Sequence, residues 1–178
     1  MHFYPTGRGS ERPEVFVVNI PPIINGYIID IIGAGAFENC NHIITVIIPS
    51  NIINIKQNVF KRCISLTSII IPPNVRIIEQ GVFAGCTSLT SIIIPPNVTS
   101  INNGAFEGCT SLTSITIPSN VKSIGNNAFA GCISLTSITI PSNVSVGSNN
   151  LGFEIDYEYY NYQGGTYILQ GGRWILQQ

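Results

Sequence analysis

Charge is scarce in this chain. Of its 178 residues, 8 are Lys or Arg and 9 are Asp or Glu, giving a net charge of -1. Nucleic-acid recognition needs a basic stripe or patch, which this balance does not supply, and a pI near 6.1 argues against polyanionic partners. Low charge beside 44% hydrophobic residues also excludes a disordered chain, whose composition runs the other way. Long apolar runs are missing as well. Pro, Asn and Ser interrupt the hydrophobic residues at regular intervals, and no stretch reaches the ~18 residues of a membrane-spanning helix. Met1 to Glu14 has neither the apolar core nor the small-residue cleavage site of a secretory signal. That leaves a cytoplasmic protein, export by another route, or a fragment of a longer chain as the open expectations. Histidine is limited to His2 and His42, so no nucleophile, base and orienting group can be assembled, and the chain is not expected to be an enzyme.

What is present is periodic. Phe37, Phe60, Phe83, Phe106 and Phe129 recur every 23 residues. The five cysteines, Cys40, Cys63, Cys86, Cys109 and Cys132, each follow three residues behind. A fixed period of this length means one supersecondary unit, copied and stacked. Each polar residue then recurs as a structural position rather than standing as a unique site. An odd number of cysteines at one repeat position predicts a column of buried thiols rather than a disulfide framework. Without a C-x-x-C or a second histidine near His42, no metal site or cofactor is expected.

The unit is clearest from Cys109 to Cys132. Leu112, Ile115 and Ile117 are spaced as the inward side chains of a short strand. Pro49, Pro72, Pro95, Pro118 and Pro141 follow the strands and end them, because proline lacks the amide donor of a ladder. Asn51, Asn74, Asn97, Asn120 and Asn143 form a second column, read as buried amides that must find hydrogen-bond partners. Asn97 and Asn143 also open formal glycosylation sequons, but the structural reading of the column is the stronger one.

The pattern L-x-x-I-x-I-P-x-N, the 23-residue length and the A-F-x-G-C ending resemble the BspA-like, or Treponema pallidum-type, leucine-rich repeat. The resemblance spans roughly Val15 to Val146. It departs from the general leucine-rich pattern in placing Val121 directly after Asn120, as this subtype does. It implies an α/β leucine-rich repeat solenoid, with a concave parallel β-sheet and short helical turns on the convex side around Ala128-Phe129. It implies asparagines that bond neighbouring turns. It also implies a surface or secreted protein of a treponeme or similar host-associated microbe, contributing to cell adhesion and virulence through attachment to host cells or matrix proteins.

Three regions follow: 1–36, an N-terminal segment and atypical first repeat; 37–148, five repeats of 23 residues; and 149–178, a C-terminal β cap. In the first, 15 residues separate Pro21 from Phe37, against 10 between Pro49 and Phe60. The extra segment, Ile24-Asn-Gly-Tyr-Ile28, is expected to close the N-terminal end of the core. In the last, Phe153 to Tyr160 alternates like a strand, and Gly164-Gly165 and Gly171-Gly172 punctuate a hairpin. Glu154, Asp156 and Glu158 would share one face of that strand, more simply a solvated face than a calcium site. Tyr157, Tyr159, Tyr160, Tyr162, Tyr167 and Trp174 are either a cap core or a binding patch.

The candidate partner-binding residues lie on the concave face. The outward position between the inward isoleucines holds Ile47, Ile70, Ile93, Thr116 and Thr139. Three stacked isoleucines, with Ile44 and Ile53 nearby, make an apolar strip suited to a protein or peptide partner. A small apolar ligand or lipid, or an internal assembly partner, is the alternative. The oligomeric state is left open.

Overall fold

The computed structural model describes residues 16–150 and 163–177. Among these residues there are fifteen strands, in chain order: β1 (Phe16–Asn19), β2 (Ile23–Ile24), β3 (Tyr27–Ile28), β4 (Ile31–Ile32), β5 (Ile43–Ile47), β6 (Asn54–Ile55), β7 (Ser68–Ile69), β8 (Ile77–Ile78), β9 (Ser100–Ile101), β10 (Ser114–Thr116), β11 (Ser123–Ile124), β12 (Ser137–Ile140), β13 (Ser145–Val146), β14 (Gly165–Gln170) and β15 (Arg173–Leu176). They wind into a solenoid, and each coil contributes to three hydrogen-bonded ladders.

The first ladder is the expected concave sheet, present as β1–β5–β7 and β10–β12–β14–β15. Its repeats pair in parallel, in register, as in Ile115 with Ile138. Leu66, Leu89, Leu112 and Leu135 point into the core with the isoleucines that follow them. Between the two pieces the third repeat adds only the bridge from Ile70 to Ile93. These two repeats carry Pro72-Pro73 and Pro95-Pro96, where the later ones have a single proline followed by serine.

The second ladder has no counterpart in the sequence expectation. β8, β9, β11 and β13 form a four-stranded parallel sheet, with β4 and β6 as a separate pair at the N-terminal end. The residues that fill the core behind the turn, such as Ile124, are strand residues with one side chain inward and the next outward.

The third ladder corrects an expectation. Among the described residues there is no helix; the convex segments around each phenylalanine are stacked turns. Left-handed residues flank every phenylalanine two positions away: Gly35 and Asn39, Asn58 and Arg62, Gly81 and Gly85, Gly104 and Gly108, Asn127 and Gly131. Such residues break a helix. The amides at these positions turn to the next coil instead. Phe37 N–H donates to Val59 O at 2.9 Å, Phe60 to Val82 at 2.9 Å, Phe83 to Ala105 at 2.9 Å and Phe106 to Ala128 at 2.8 Å. The rings stack in parallel behind this ladder, with centroids 5.5–5.7 Å apart.

At Phe129 the partner is a side chain, that of Asn150. The Asn150 side-chain oxygen accepts the Phe129 N–H at 2.9 Å, where a backbone carbonyl stands in the other repeats. Its amide donates to Gly147 O at 2.7 Å and Gly125 O at 3.2 Å. Asn150 is the one buried polar side chain among the described residues. Replacing it with Ala leaves a buried donor unsatisfied and is expected to cost about 2 kcal/mol. Asn150→Asp keeps an acceptor for Phe129 but turns a charge toward two carbonyls. Chemical denaturation of both variants checks this, and an unchanged midpoint for Asn150→Ala would contradict the capping role.

The C-terminal hairpin expected from the paired glycines is present. Gly171 and Gly172 have φ of 57° and 82°, as a two-residue type I′ turn requires. It joins β14 to β15, and β14 runs antiparallel to β12. Tyr167 and Trp174 are buried in it as cap core. The Phe153–Tyr160 strand, the Glu154, Asp156 and Glu158 face, Tyr157, Tyr159, Tyr160, Tyr162 and His2 lie outside the described residues.

Two smaller expectations change. The asparagine column is exposed or half-exposed rather than buried. It still ties coils together: Asn74, Asn97 and Asn120 donate to Ser50, Pro73 and Pro96 carbonyls at 3.1, 2.9 and 2.8 Å. Asn51 reaches the Pro22 and Ile29 carbonyls at the base of the N-terminal insert. That insert does not close the core. It is the hairpin β2–β3, turned at Asn25-Gly26, with Ile23, Ile24, Tyr27 and Ile28 all exposed.

Candidate partner-binding surface

The concave strands fix which side chains face outward, since alternate residues of a strand point to opposite faces. Ile47, Ile70 and Ile93 are 53%, 81% and 82% exposed, whereas their neighbours Val46, Ile69, Ile71, Ile92 and Ile94 are buried. Thr116 is exposed and Thr139 half-buried; the Thr139 hydroxyl lies 2.7 Å from that of Thr166 on the cap hairpin. Thr45, Ser68, Ser91, Ser114 and Ser137 form a hydroxyl row beside them. These strands carry no charged residue from Phe16 to Ile140. The face is therefore neutral, apolar in its first half and hydroxylated in its second.

A shallow open groove marks the change from one half to the other. It is lined by Ile92, Ile93, Pro96, Ser114, Thr116 and Pro118, where the concave ladder is interrupted. Of the two further isoleucines, Ile44 is half-buried and Ile53 exposed; Ile53 lies just before β6, on the other side of the coil. Tyr27 and Ile28, expected to close the core, join the exposed apolar surface instead. The sequence does carry a signal for this: Asn-Gly between apolar pairs is a strong hairpin motif.

The interior offers little chemistry. All five cysteines are unpaired; Cys63, Cys86, Cys109 and Cys132 are buried and Cys40 is half-buried. Each buried thiol donates to the carbonyl of the preceding repeat's phenylalanine, from Cys63 to Phe37 at 3.1 Å through Cys132 to Phe106 at 3.1 Å. Burial pushes Cys63 and Cys132 up to about 12 and raises Cys86 and Cys109 as well. A thiol held protonated is neither a nucleophile nor a metal ligand. Among the described residues no cluster of three His, Cys, Asp or Glu side chains could hold a metal ion, and no helix is long and apolar enough to cross a membrane.

Stacked parallel coils with an inward Leu-Ile-Ile set and an exposed concave sheet define a leucine-rich repeat solenoid. Residues 30–153 match the BspA type Leucine rich repeat region, in six copies, and the chain belongs to that family. Among solved structures, it is similar to a leucine-rich repeat protein from Bacteroides ovatus, with 40% identity and a TM-score of 0.68 over 70% of this chain and 33% of that one. It is also similar to the Treponema pallidum leucine-rich repeat protein, with 29% identity and a TM-score of 0.69 over 76% of this chain and 70% of that one. The pneumococcal vaccine antigen PcpA is 25% identical, with a TM-score of 0.50 over 57% of this chain and 27% of that one. The chain thus spans about a third of the length of the Bacteroides ovatus protein. Comparison with curated proteins gives no match.

Proposed function

We propose that this protein is a non-catalytic interaction module that binds a protein or peptide partner on its concave sheet, in an adhesin-type attachment to host cells or matrix proteins. The observation that carries the reading is the neutral strip of Ile47, Ile70 and Ile93, exposed side by side on a sheet whose other faces are committed to packing. A groove this open leaves most of a small molecule in water, whereas small-ligand sites enclose most of their ligand. That favours a broad protein surface over the alternative of a lipid or small apolar ligand. The similarity to PcpA, a vaccine antigen, supports placement at the cell surface.

Ile70→Asp and Ile93→Asp put a charge into the strip at positions that contribute little to the core. Each is expected to weaken partner binding at least tenfold, the scale of a buried hot-spot residue, while thermal stability stays unchanged. Thr139→Ala should have little effect. The assay is binding of purified protein to intact host cells and immobilised matrix proteins. Wild-type protein that binds neither would sink the adhesin reading, as would antibody labelling of source cells only after permeabilisation.

A further inference from the structure

One junction of the solenoid lacks the concave ladder. Among the described residues, 90–94 and 113–117 share neither a strand pairing nor a bridge, although they lie on successive coils. At the start of the equivalent strands Thr67 N–H donates to Ile44 O at 3.0 Å and Thr136 N–H to Thr113 O at 3.0 Å. Thr90 N–H reaches Thr67 O at only 3.4 Å, and Thr113 makes no such bond to Thr90. At the strand end Ile117 N–H donates to Thr139 O at 2.8 Å, whereas Ile94 makes no such bond to Thr116. The same two coils stay joined elsewhere. β9 pairs with β11, and Gly125 N–H donates to Ile101 O at 2.8 Å. On the convex side Gly104, Phe106 and Gly108 N–H donate to Asn126, Ala128 and Ala130 O at 3.0, 2.8 and 2.7 Å. Two side-chain bonds bracket the gap: Thr110 Oγ1 donates to Thr87 O at 3.2 Å, and the Asn120 amide to Pro96 O at 2.8 Å. The gap is therefore a short seam, tied at both ends and backed by two intact ladders. It opens into the shallow groove between Ile93 and Thr116.

We infer that this seam is a built-in adjustment of the concave face: it stands open in the free protein and zips when a partner covers it, drawing Ile93 and Thr116 together. Backbone groups that reach water lose little by being unpaired, because a bond within the protein only replaces one to solvent. Thr90, Thr113, Ser114 and Thr116 are exposed, so water reaches the seam from the groove. Open and zipped forms then lie close in free energy. A partner that excludes water from the groove changes the balance, since an unpaired backbone group costs far more once it is dry. The partner thus favours the zipped form through its different interaction with the two states. The seam falls between the isoleucine half and the threonine half of the face, so its closure sets their spacing. The closing step rests on partner binding at the concave face, as proposed above; the open seam does not.

Native-state hydrogen exchange of the full chain, read residue by residue, tests the open seam without any partner. Relative to an unstructured chain, the amides of Ile94 and Thr113 should exchange at least ~10-fold faster than their equivalents Ile117 and Thr136, while Phe106 and Gly125 stay protected. Equal protection of the two pairs would overturn the inference. Fast exchange at Phe106 and Gly125 as well would also overturn it, because the whole junction would then be opening. Ser91 and Ser114 line the groove at equivalent positions of the two coils. Ser91→Cys combined with Ser114→Cys therefore allows a disulfide across the seam on treatment with oxidised glutathione. The oxidised form should bind the host cells or matrix proteins that the unsubstituted chain binds several-fold more tightly, since the face is already closed, and reduction should reverse the gain. Equal affinity in the two forms would overturn the closing step. If the unsubstituted chain binds no cell or matrix component, the concave-face reading fails and the closing step with it, while the exchange pattern still decides the seam. If the double variant does not fold, exchange of the unsubstituted chain with and without the bound matrix protein decides instead: closing requires Ile94 and Thr113 to gain protection in the complex.

Discussion

Phe83→Ala is expected to lower stability by about 4 kcal/mol, the middle of the range for truncating a buried aromatic. Phe83 is fully buried and sits at the centre of the ring column, 5.7 Å from Phe60 and 5.5 Å from Phe106. Removing it leaves a gap between two rigid neighbours whose backbones are fixed by the convex ladder, so the site can collapse only partly. The same ring packing also couples the two halves of the array. In a solenoid each coil touches only its neighbours, so a central gap weakens cooperativity as well as total stability. The unfolding transition should therefore broaden or split, with Trp174 fluorescence reporting the C-terminal half and far-ultraviolet circular dichroism the whole. Phe37→Ala, at the half-exposed end of the column, should cost roughly half as much, since truncation there removes less buried surface. Equal losses for the two variants would contradict a column whose energy depends on burial from both sides.

Raising the pH above 9 is expected to destabilise the protein steeply. The thiols start from an ordinary value of 9.0, and burial moves Cys63 and Cys132 up to about 12. Desolvation is the main cause; at Cys63 the neighbouring Cys40 thiolate adds to it, and a backbone hydrogen bond from Cys40 partly offsets it. Cys86 and Cys109 are raised for the same reasons. A raised folded-state value means that the folded protein keeps its proton while the unfolded chain releases it. The thiol contribution is therefore complete below pH 9 and declines as pH rises toward 12, where the folded thiols ionise too. Four such groups give a slope of about 5 kcal/mol per pH unit within that window, at ~1.4 kcal/mol for each. Urea midpoints measured anaerobically between pH 8 and 10.5 should show this fall. Cys86→Ala should flatten the slope by about a quarter, since it removes one of the four buried thiols. An unchanged slope in that variant would rule the thiol column out as the cause.

The solenoid is legible in the sequence because its chemistry repeats. Five phenylalanines and five cysteines at one spacing can satisfy their burial only by stacking, and proline after each strand marks where the ladder stops. The outward place of Ile47, Ile70 and Ile93 follows from strand alternation alone. The C-terminal hairpin is readable from its paired glycines, and the burial of Tyr167 and Trp174 settles their role as cap core. The convex turns are not legible in the same way, because Ala-Phe within a polar stretch fits a helical turn as well as a ladder. The left-handed residues that exclude the helix include Asn39, Asn58, Asn127 and Arg62, not only glycines. Arg62 in particular gives no sequence signal of that conformation.

By itself, then, the sequence determined the period, the inward residues, the thiol column and the neutral concave strip, all of which depend on local spacing. Only the tertiary structure decided what happens where the period ends. Asn150 takes the place that a backbone carbonyl holds in the other repeats, and Phe37 and Cys40 of the first coil are half-buried where Phe129 and Cys132 are buried. The same register could have been completed by a further coil, a hairpin or a side chain, because an unpaired ladder requires a partner for its hydrogen bonds without specifying which.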